Sequence, residues 1–193
     1  KNRKMAIDTG IALDCAALVE VGGLNNIYVT DLANLSAATA SGTSAYSSLS
    51  GTIPWAMFQL KPNTATWATT STKENGVTKF ETTVSWYIPN ITSATSHILE
   101  DMKNGCIVAV AEFRSGVNLT CGISETYQGF GAGTDDWVYN DTYAMMSVEE
   151  TSGADFVDGN GATVTLVATS FETPRVYTGG FTPNSANTTA TLT

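Results

Sequence analysis

The single histidine is the first place to look for chemistry, because a serine or cysteine nucleophile needs a neighbouring base. His97 has Ser96 beside it, and the chain holds no other histidine. The flanking residues predict a short helix, in which adjacent side chains point about 100° apart. No Gly-x-Ser-x-Gly elbow occurs either. We therefore expect no nucleophile and base pair, and no enzymatic activity.

A glycine-rich stretch is the next candidate for ligand binding. Gly129, Gly131 and Gly133 have the spacing of a phosphate-binding loop. However, Asp135 and Asp136 follow directly and would repel phosphate, and no helix beginning with Lys-Ser or Lys-Thr comes after them. A flexible loop is the favoured interpretation.

Acidic side chains could hold a cation or form an acid and base pair. Asp155, Asp158 and Asn160 offer the oxygen ligands that calcium prefers, but their spacing is not that of an EF-hand. Turn formation explains them better, and calcium is the minor alternative. Glu149 and Glu150, like Asp135 and Asp136, are neighbours on a chain predicted to be extended, so they face opposite sides. We expect no cofactor and no metal site.

Three cysteines, Cys15, Cys106 and Cys121, make an odd number without a Cys-x-x-Cys motif. Neither a disulfide framework nor a zinc site is indicated. Buried free thiols are expected instead, which suits folding in a reducing cytoplasm.

Composition limits the function classes further. The chain has 193 residues, a net charge of -9 and only nine Lys and Arg, three of them in the first four residues. Specific nucleic-acid binding is therefore not expected, although a negative wall suits a conduit through which DNA slides. Asp8, Asp14 and Glu20 interrupt any apolar run after the basic start, so we expect neither a signal peptide nor a membrane anchor.

The clearest structural signal is a β-hairpin over about residues 63–88. Asn75 and Gly76 lie between two Thr-rich runs, and this dipeptide favours a type I′ turn with positive φ at both residues. The turn fixes the register, so that Glu74 pairs with Val77 and Trp67 with Val84. One face is then apolar and predicted to belong to the core, and it carries Trp67, Phe80, Val84, Trp86 and Ile88. The other face is polar and predicted to mediate assembly together with the turn, and it carries Thr66, Ala68, Thr70, Thr72, Lys79, Glu81 and Thr83.

The length of this hairpin is unusual. Each arm has about a dozen residues and spans roughly 40 Å at ~3.3 Å per residue, about twice a typical strand. We expect the hairpin to project beyond its own domain and to expose strand edges that pair with other copies.

A short helix is predicted over about residues 93–104. Thr92 or Ser93 can accept the first free amide protons, and Asn104-Gly105 ends the segment. Ile98, Leu99 and Met102 form an apolar stripe that should pack on a sheet.

The remaining segments complete a mainly β protein. Residues 1–23 are predicted to be an N-terminal arm, residues 24–177 a single domain, and residues 178–193 an extended tail. Strands are expected near residues 24–32, 53–60, 106–113, 117–123, 143–150 and 163–169, whereas the Ala, Ser and Thr of residues 33–51 indicate a loop. The predicted fold is an antiparallel β-sandwich or rolled barrel with one flanking α-helix and a long projecting β-hairpin.

Tryptophans raise one alternative function. Trp55, Trp67, Trp86 and Trp137 could form a sugar-stacking platform, but the hairpin register buries Trp67 and Trp86. Trp137, beside the loop of residues 129–136, leaves a carbohydrate-binding or adhesin-like module as the alternative.

The C-terminal two-thirds of the chain resembles the tail-tube and tail-ring proteins of tailed bacteriophages. The resemblance rests on the order of four parts: the hairpin of residues 74–81, the helix ending at residues 99–105, the strand pair of residues 107–123, and the closing pair of residues 145–167 followed by Glu172-Thr173-Pro174.

This resemblance implies a structural virion protein of the tail, assembled in the bacterial host cytoplasm. In that family six copies close a ring, and rings stack through a long hairpin and terminal arms into a tube for DNA. The expected partners are other copies of the chain and other tail or connector proteins, while DNA passes without specific binding.

Overall fold

The computed structural model describes residues 22–41, 45–124, 143–151 and 160–193, which form thirteen strands, one α-helix and a 3-10 turn. The mainly antiparallel strands and the single helix confirm the predicted fold class. In chain order the elements are β1 (Leu24–Asp31), the 3-10 turn (Leu32–Asn34), β2 (Leu35–Ser41), β3 (Ala45–Gly51), β4 (Trp55–Gln59), β5 (Ala65–Glu74), β6 (Val77–Pro89), α1 (Ser93–Lys103), β7 (Ile107–Phe113), β8 (Asn118–Cys121), β9 (Met145–Thr151), β10 (Gly161–Ser170), β11 (Val176–Tyr177), β12 (Phe181–Pro183) and β13 (Thr189–Leu192).

The strands form two sheets. The larger has nine strands in the order β12-β13-β4-β1-β7-β8-β11-β3-β2, and the smaller has four in the order β5-β6-β10-β9. In the larger sheet β11 and β3 are parallel, and the other pairs are antiparallel. Because β13 and β3 lie near opposite edges of this sheet and still contact each other, the sheet curls towards a barrel.

Strand β7 lies near the centre of the larger sheet and is covered on both faces. Its residues from Ile107 to Ala111 are all buried, as the continuous apolar run predicted. Ile107, Ala109 and Ala111 face the smaller sheet, whereas Val108 and Val110 face the interior of the curled sheet. One strand therefore joins two hydrophobic cores.

The two cores differ in what they hold together. The first joins the two sheets and the helix, and its large side chains are Ile27, Val84, Trp86, Leu99 and Leu166. The second lies inside the curled sheet and contains Tyr28, Tyr46, Leu49, Trp55, Tyr177 and Leu192.

The helix α1 begins and ends close to the predicted positions. Thr92 is its N-cap, since the Thr92 hydroxyl accepts a hydrogen bond from the Thr95 amide at 3.2 Å. Leu99 is fully buried, but the prediction that Ile98 belongs to the core is wrong, because 53% of Ile98 is exposed. The helix packs mainly against one strand, β9, and such a narrow contact buries a stripe centred on Leu99 that leaves Ile98 at its side.

Residues 33–51 are not the predicted loop. They contain β2 and β3, which pair as a hairpin at one edge of the larger sheet. Register shifts interrupt this pairing, so Tyr46 and Leu49 are both buried although they are three residues apart. Such irregularities break the two-residue alternation from which a strand is recognised.

Residues 178–193 are not an extended tail. Strands β12 and β13 form a hairpin, and β13 pairs with β4, which buries Ala190 and Leu192. The Tyr177 hydroxyl lies 2.9 Å from the Thr193 carbonyl oxygen and 3.1 Å from that of Gly180, which fastens this hairpin to β11. The predicted N-terminal arm, apart from Gly22 and Gly23, lies outside the described residues.

Candidate assembly surface

The turn of the long hairpin has the predicted geometry. Asn75 has φ 49° and Gly76 has φ 84°, the positive values that a type I′ turn requires. The register follows from it, with Glu74 opposite Val77 and Trp67 opposite Val84. Strand pairing therefore starts at Ala65 and runs without a shift to the turn.

The core face of the hairpin is buried at its base and less so towards its tip. Val84 and Trp86 are almost completely buried, and Trp67 is partly buried with its ring 5.7 Å from that of Phe113. Phe80 is only partly buried, as is Met102 on the helix. Of these predicted core residues, Val84 and Trp86 are therefore buried, whereas Trp67, Phe80 and Met102 lie at the margin of the core.

The opposite face of the four-stranded sheet is covered mainly by hydroxyl groups, and we call it the polar face. On the hairpin it consists of the residues predicted to mediate assembly, with Lys79, Glu81 and a row of threonines. Strands β10 and β9 extend the same face, because their register places them beside Thr83 and Ser85. These two strands add Thr163, Thr165, Val167, Thr169, Met145, Ser147, Glu149 and Thr151.

Both edges of the four-stranded sheet lack a further paired strand within the described residues, and we call them open in this sense; Ala144, directly before β9, forms an isolated bridge with Ile107. Within the sheet β5 pairs only with β6, and β9 pairs only with β10. Every residue of β5 from Ala68 to Glu74 is exposed. The helix α1 packs against β9, where Ser96 donates a hydrogen bond to Glu150 at 3.3 Å.

The tip of the hairpin extends beyond the rest of its sheet by a short distance. Strand β10 accompanies β6 as far as the pair Ser170 and Phe80. Only the pairs from Thr72 with Lys79 to Glu74 with Val77 continue past it. Three pairs span about 10 Å at ~3.3 Å per residue, so the projection is shorter than the total arm length suggested.

The other candidate residues show no catalytic arrangement in the described part of the chain. His97 Nδ1 lies 3.2 Å from an Asp101 carboxylate oxygen, and both side chains are exposed. A main-chain hydrogen bond of His97 and the charge of Asp101 raise the histidine pKa. Ser96 contacts Glu150 instead, while Glu149 points to the polar face. Ser96 and His97 thus have different partners, and Glu149 and Glu150 face opposite sides, as predicted; Asp135 and Asp136 lie outside the described residues.

The described residues form neither a metal-binding cluster nor a helix that could span a membrane. A cleft of about 240 Å³ between β1 and the end of α1 contains Asp31 and Asp101, yet no three acidic, His or Cys side chains there are grouped to hold a metal. No described helix has the length and apolarity to cross a membrane.

Several predicted candidates lie outside the described residues. They are the glycine-rich loop of residues 129–136, Trp137, Cys15, Asp155 and Asp158. Of the described cysteines, Cys121 is buried, and burial raises the pKa of its thiol to about 12. Cys106 is partly buried, and both are free thiols.

Sequence reasoning missed the contribution of β9 and β10 to the polar face. The signal was present in β10, where Thr163, Thr165 and Thr169 alternate with Val164, Leu166 and Ala168. The local pattern predicted the strand, but it gave no information on which strand would lie beside it, because pairing with β6 joins residues about 80 positions apart.

Comparison of the chain with protein-family models, with curated proteins and with solved structures gave no significant match. Functional conclusions therefore depend on the residues and the fold.

Proposed function

We propose that this protein is a structural subunit that assembles edge to edge into a closed ring, and that stacked rings form a tail tube or tail ring through which phage DNA passes. The observation that carries the proposal is the four-stranded sheet, whose two edge strands have no further strand beside them in the described part of the chain. The exposed run of β5 from Ala68 to Glu74 presents unpaired amide and carbonyl groups, which makes it a template for another strand.

The strand directions suit such an assembly. All three pairs in the sheet are antiparallel, so β5 and β10 run one way and β6 and β9 run the other. When copies are related by rotation about an axis along the strands, β9 of one copy meets β5 of the next in antiparallel orientation. The contact joins two different edges, and such a contact closes into a ring when the rotation divides a full turn evenly.

The polar face supports a role as a channel wall. If the sheets of successive copies join, one face of the combined sheet lines the interior. The core face is occupied by the first hydrophobic core, so the polar face is the one left for the lumen. Its charged residues include Glu81, Glu149 and Lys79, and the whole chain carries a net charge of -9. A hydroxyl-rich, weakly negative wall repels phosphate and gives DNA few places to bind.

The carbohydrate-binding alternative has no comparable support in the described structure. Trp86 is almost completely buried, and Trp67 is partly buried with its ring against Phe113, so the two do not form an exposed platform together. Trp137 lies outside the described residues, and that alternative stays untested.

Ser71→Pro is the sharpest test of the edge contact. In a hairpin with a two-residue turn, hydrogen-bonded pairs alternate with non-bonded pairs from Glu74 and Val77 onwards. Ser71 and Phe80 form a non-bonded pair, so the Ser71 amide points to the open edge. Proline removes that amide without removing a bond to β6, and we expect it to block assembly while the monomer stays folded.

Ser71→Ala is the matched control, because it changes the same exposed side chain and keeps the amide. Light scattering after gel filtration measures the assembly, and circular dichroism measures the fold. We expect the alanine variant to assemble like the unmodified protein. Normal assembly of a folded Ser71→Pro variant would exclude the β5 edge from the contact.

A further inference from the structure

Three Asn-Gly sequences lie in the described residues, at Asn75, Asn104 and Asn160. Asn-Gly is the dipeptide most prone to spontaneous deamidation, because glycine has no side chain to hinder attack by its main-chain nitrogen on the asparagine carboxamide. In an unfolded chain the three sites are chemically almost equivalent. In the folded protein the surroundings of the three sites differ.

At Asn104 the reacting groups are held by the end of helix α1. The Gly105 amide, which would be the nucleophile, donates a hydrogen bond to the Met102 carbonyl at 3.1 Å. The Asn104 side-chain amide donates to the Glu100 carbonyl at 3.4 Å. Both groups must first be released before they can react.

Asn160 is itself exposed, and the obstacle there is the burial of the following Gly161. The Asn160 carbonyl accepts a hydrogen bond from the Asn90 amide at 3.0 Å. Gly161 is buried between Pro89 and Thr151 on the neighbouring strands, with the Tyr87 ring against it. The main chain there cannot rotate without opening the sheet.

Asn75 lies in the exposed turn at the hairpin tip, and neither constraint applies to it. Among the hydrogen bonds of the described residues, none engages the Asn75 side chain or the Gly76 amide. In a type I′ turn the closing bonds join the flanking residues Glu74 and Val77, which leaves the Gly76 amide facing water.

We infer that Asn75 is a selective site of spontaneous deamidation in the folded protein. The Gly76 nitrogen, having lost its proton to solvent, forms a bond to Cγ of Asn75. The bond from Cγ to Nδ2 breaks, and ammonia leaves with a proton taken from water. Water then opens the resulting succinimide. Cleavage between the nitrogen and Cγ gives aspartate, and cleavage at the main-chain carbonyl gives isoaspartate.

Each product changes the tip of the hairpin. Aspartate adds a negative charge next to Glu74. Isoaspartate lengthens the main chain by one carbon atom inside a two-residue turn, which the type I′ geometry cannot accommodate. Whatever the hairpin contacts, the modified form accumulates with the age of the molecule at this exposed turn.

Incubation of the folded protein at mildly alkaline pH, followed by peptide mass mapping, tests the inference. We expect Asn75 to convert at least about tenfold faster than Asn104 and Asn160, since those sites react only through local opening. In denaturant the three rates should converge. A native rate at Asn75 no higher than at the other two sites would overturn the inference.

Asn75→Gly supplies the control, because Gly-Gly also favours a type I′ turn but has no carboxamide. This variant should lose the acidic species that accumulates first on native isoelectric focusing. Its persistence at an unchanged rate would assign the early modification to another residue and contradict the inference.

Discussion

At the residue scale, one polar network holds the start of β1 against β7. Glu112 accepts hydrogen bonds from Asn25 at 3.1 Å, from Asn26 at 2.6 Å and from the Tyr28 hydroxyl at 3.0 Å. Burial, followed by the charge of Glu112, raises the pKa of Tyr28. The Tyr28 ring also stacks on Phe181 at 4.3 Å. The network therefore links the central strands to the C-terminal hairpin.

We expect Glu112→Ala to lower the free energy of unfolding by about 1–3 kcal/mol, because it leaves a buried hydroxyl and two amides without their acceptor. Urea denaturation measures this loss. Asn25→Ala is the control, since it removes one bond at an exposed side chain and should cost roughly 0.5 kcal/mol or less. Equal losses in the two variants would contradict a shared role of Glu112.

At the element scale, local signals predicted the long hairpin well. The Asn75-Gly76 turn and the alternation on both sides of it lie within about 25 residues, and together they fix the register. The same locality explains the helix, whose N-cap was predicted at Thr92 or Ser93 from residue type and lies at Thr92.

Elements stabilised by distant contacts were not predictable in this way. Strands β12 and β13 are short. They are stabilised by β4, which is distant in sequence, and by the Tyr177 hydroxyl, whose position depends on the rest of the fold. Strands β2 and β3 have register shifts that disguise their pattern. The open edges of the four-stranded sheet could not be seen either, because they follow from which strands become neighbours.

Shortening the hairpin tests whether its tip joins successive rings. Removing the paired residues Thr72 and Lys79 together with Lys73 and Thr78 preserves register and face, since two adjacent pairs are deleted. All four residues are exposed, so the stability of the monomer should change by only about 0.5 kcal/mol. We expect single rings that no longer stack, as measured by electron microscopy of particle length.

The matched control keeps the length and removes the charges, with Lys73→Gln and Lys79→Gln in one variant. If this control stacks and the shortened protein does not, stacking requires the length of the hairpin and not the charges at its tip. Stacking of the shortened protein into tubes of normal length would refute a bridging role of the hairpin.

At the scale of the whole molecule, the two cores have different consequences. The curled sheet closes around its own core and has its edge regions brought together. In the described residues the four-stranded sheet gains no further strand, and it is anchored through the first core and through the bridge between Ala144 and Ile107. The curled sheet thus closes on itself, and we propose that further copies complete the four-stranded sheet.

The most direct test of edge-to-edge assembly is negative-stain electron microscopy of the purified protein over a range of concentrations, with the mass measured by light scattering. We expect closed rings with a central channel, of six copies if the resemblance to tail-tube proteins holds, and stacks of such rings at higher concentration. A protein that stays strictly monomeric at high concentration would contradict assembly through the open edges of the four-stranded sheet.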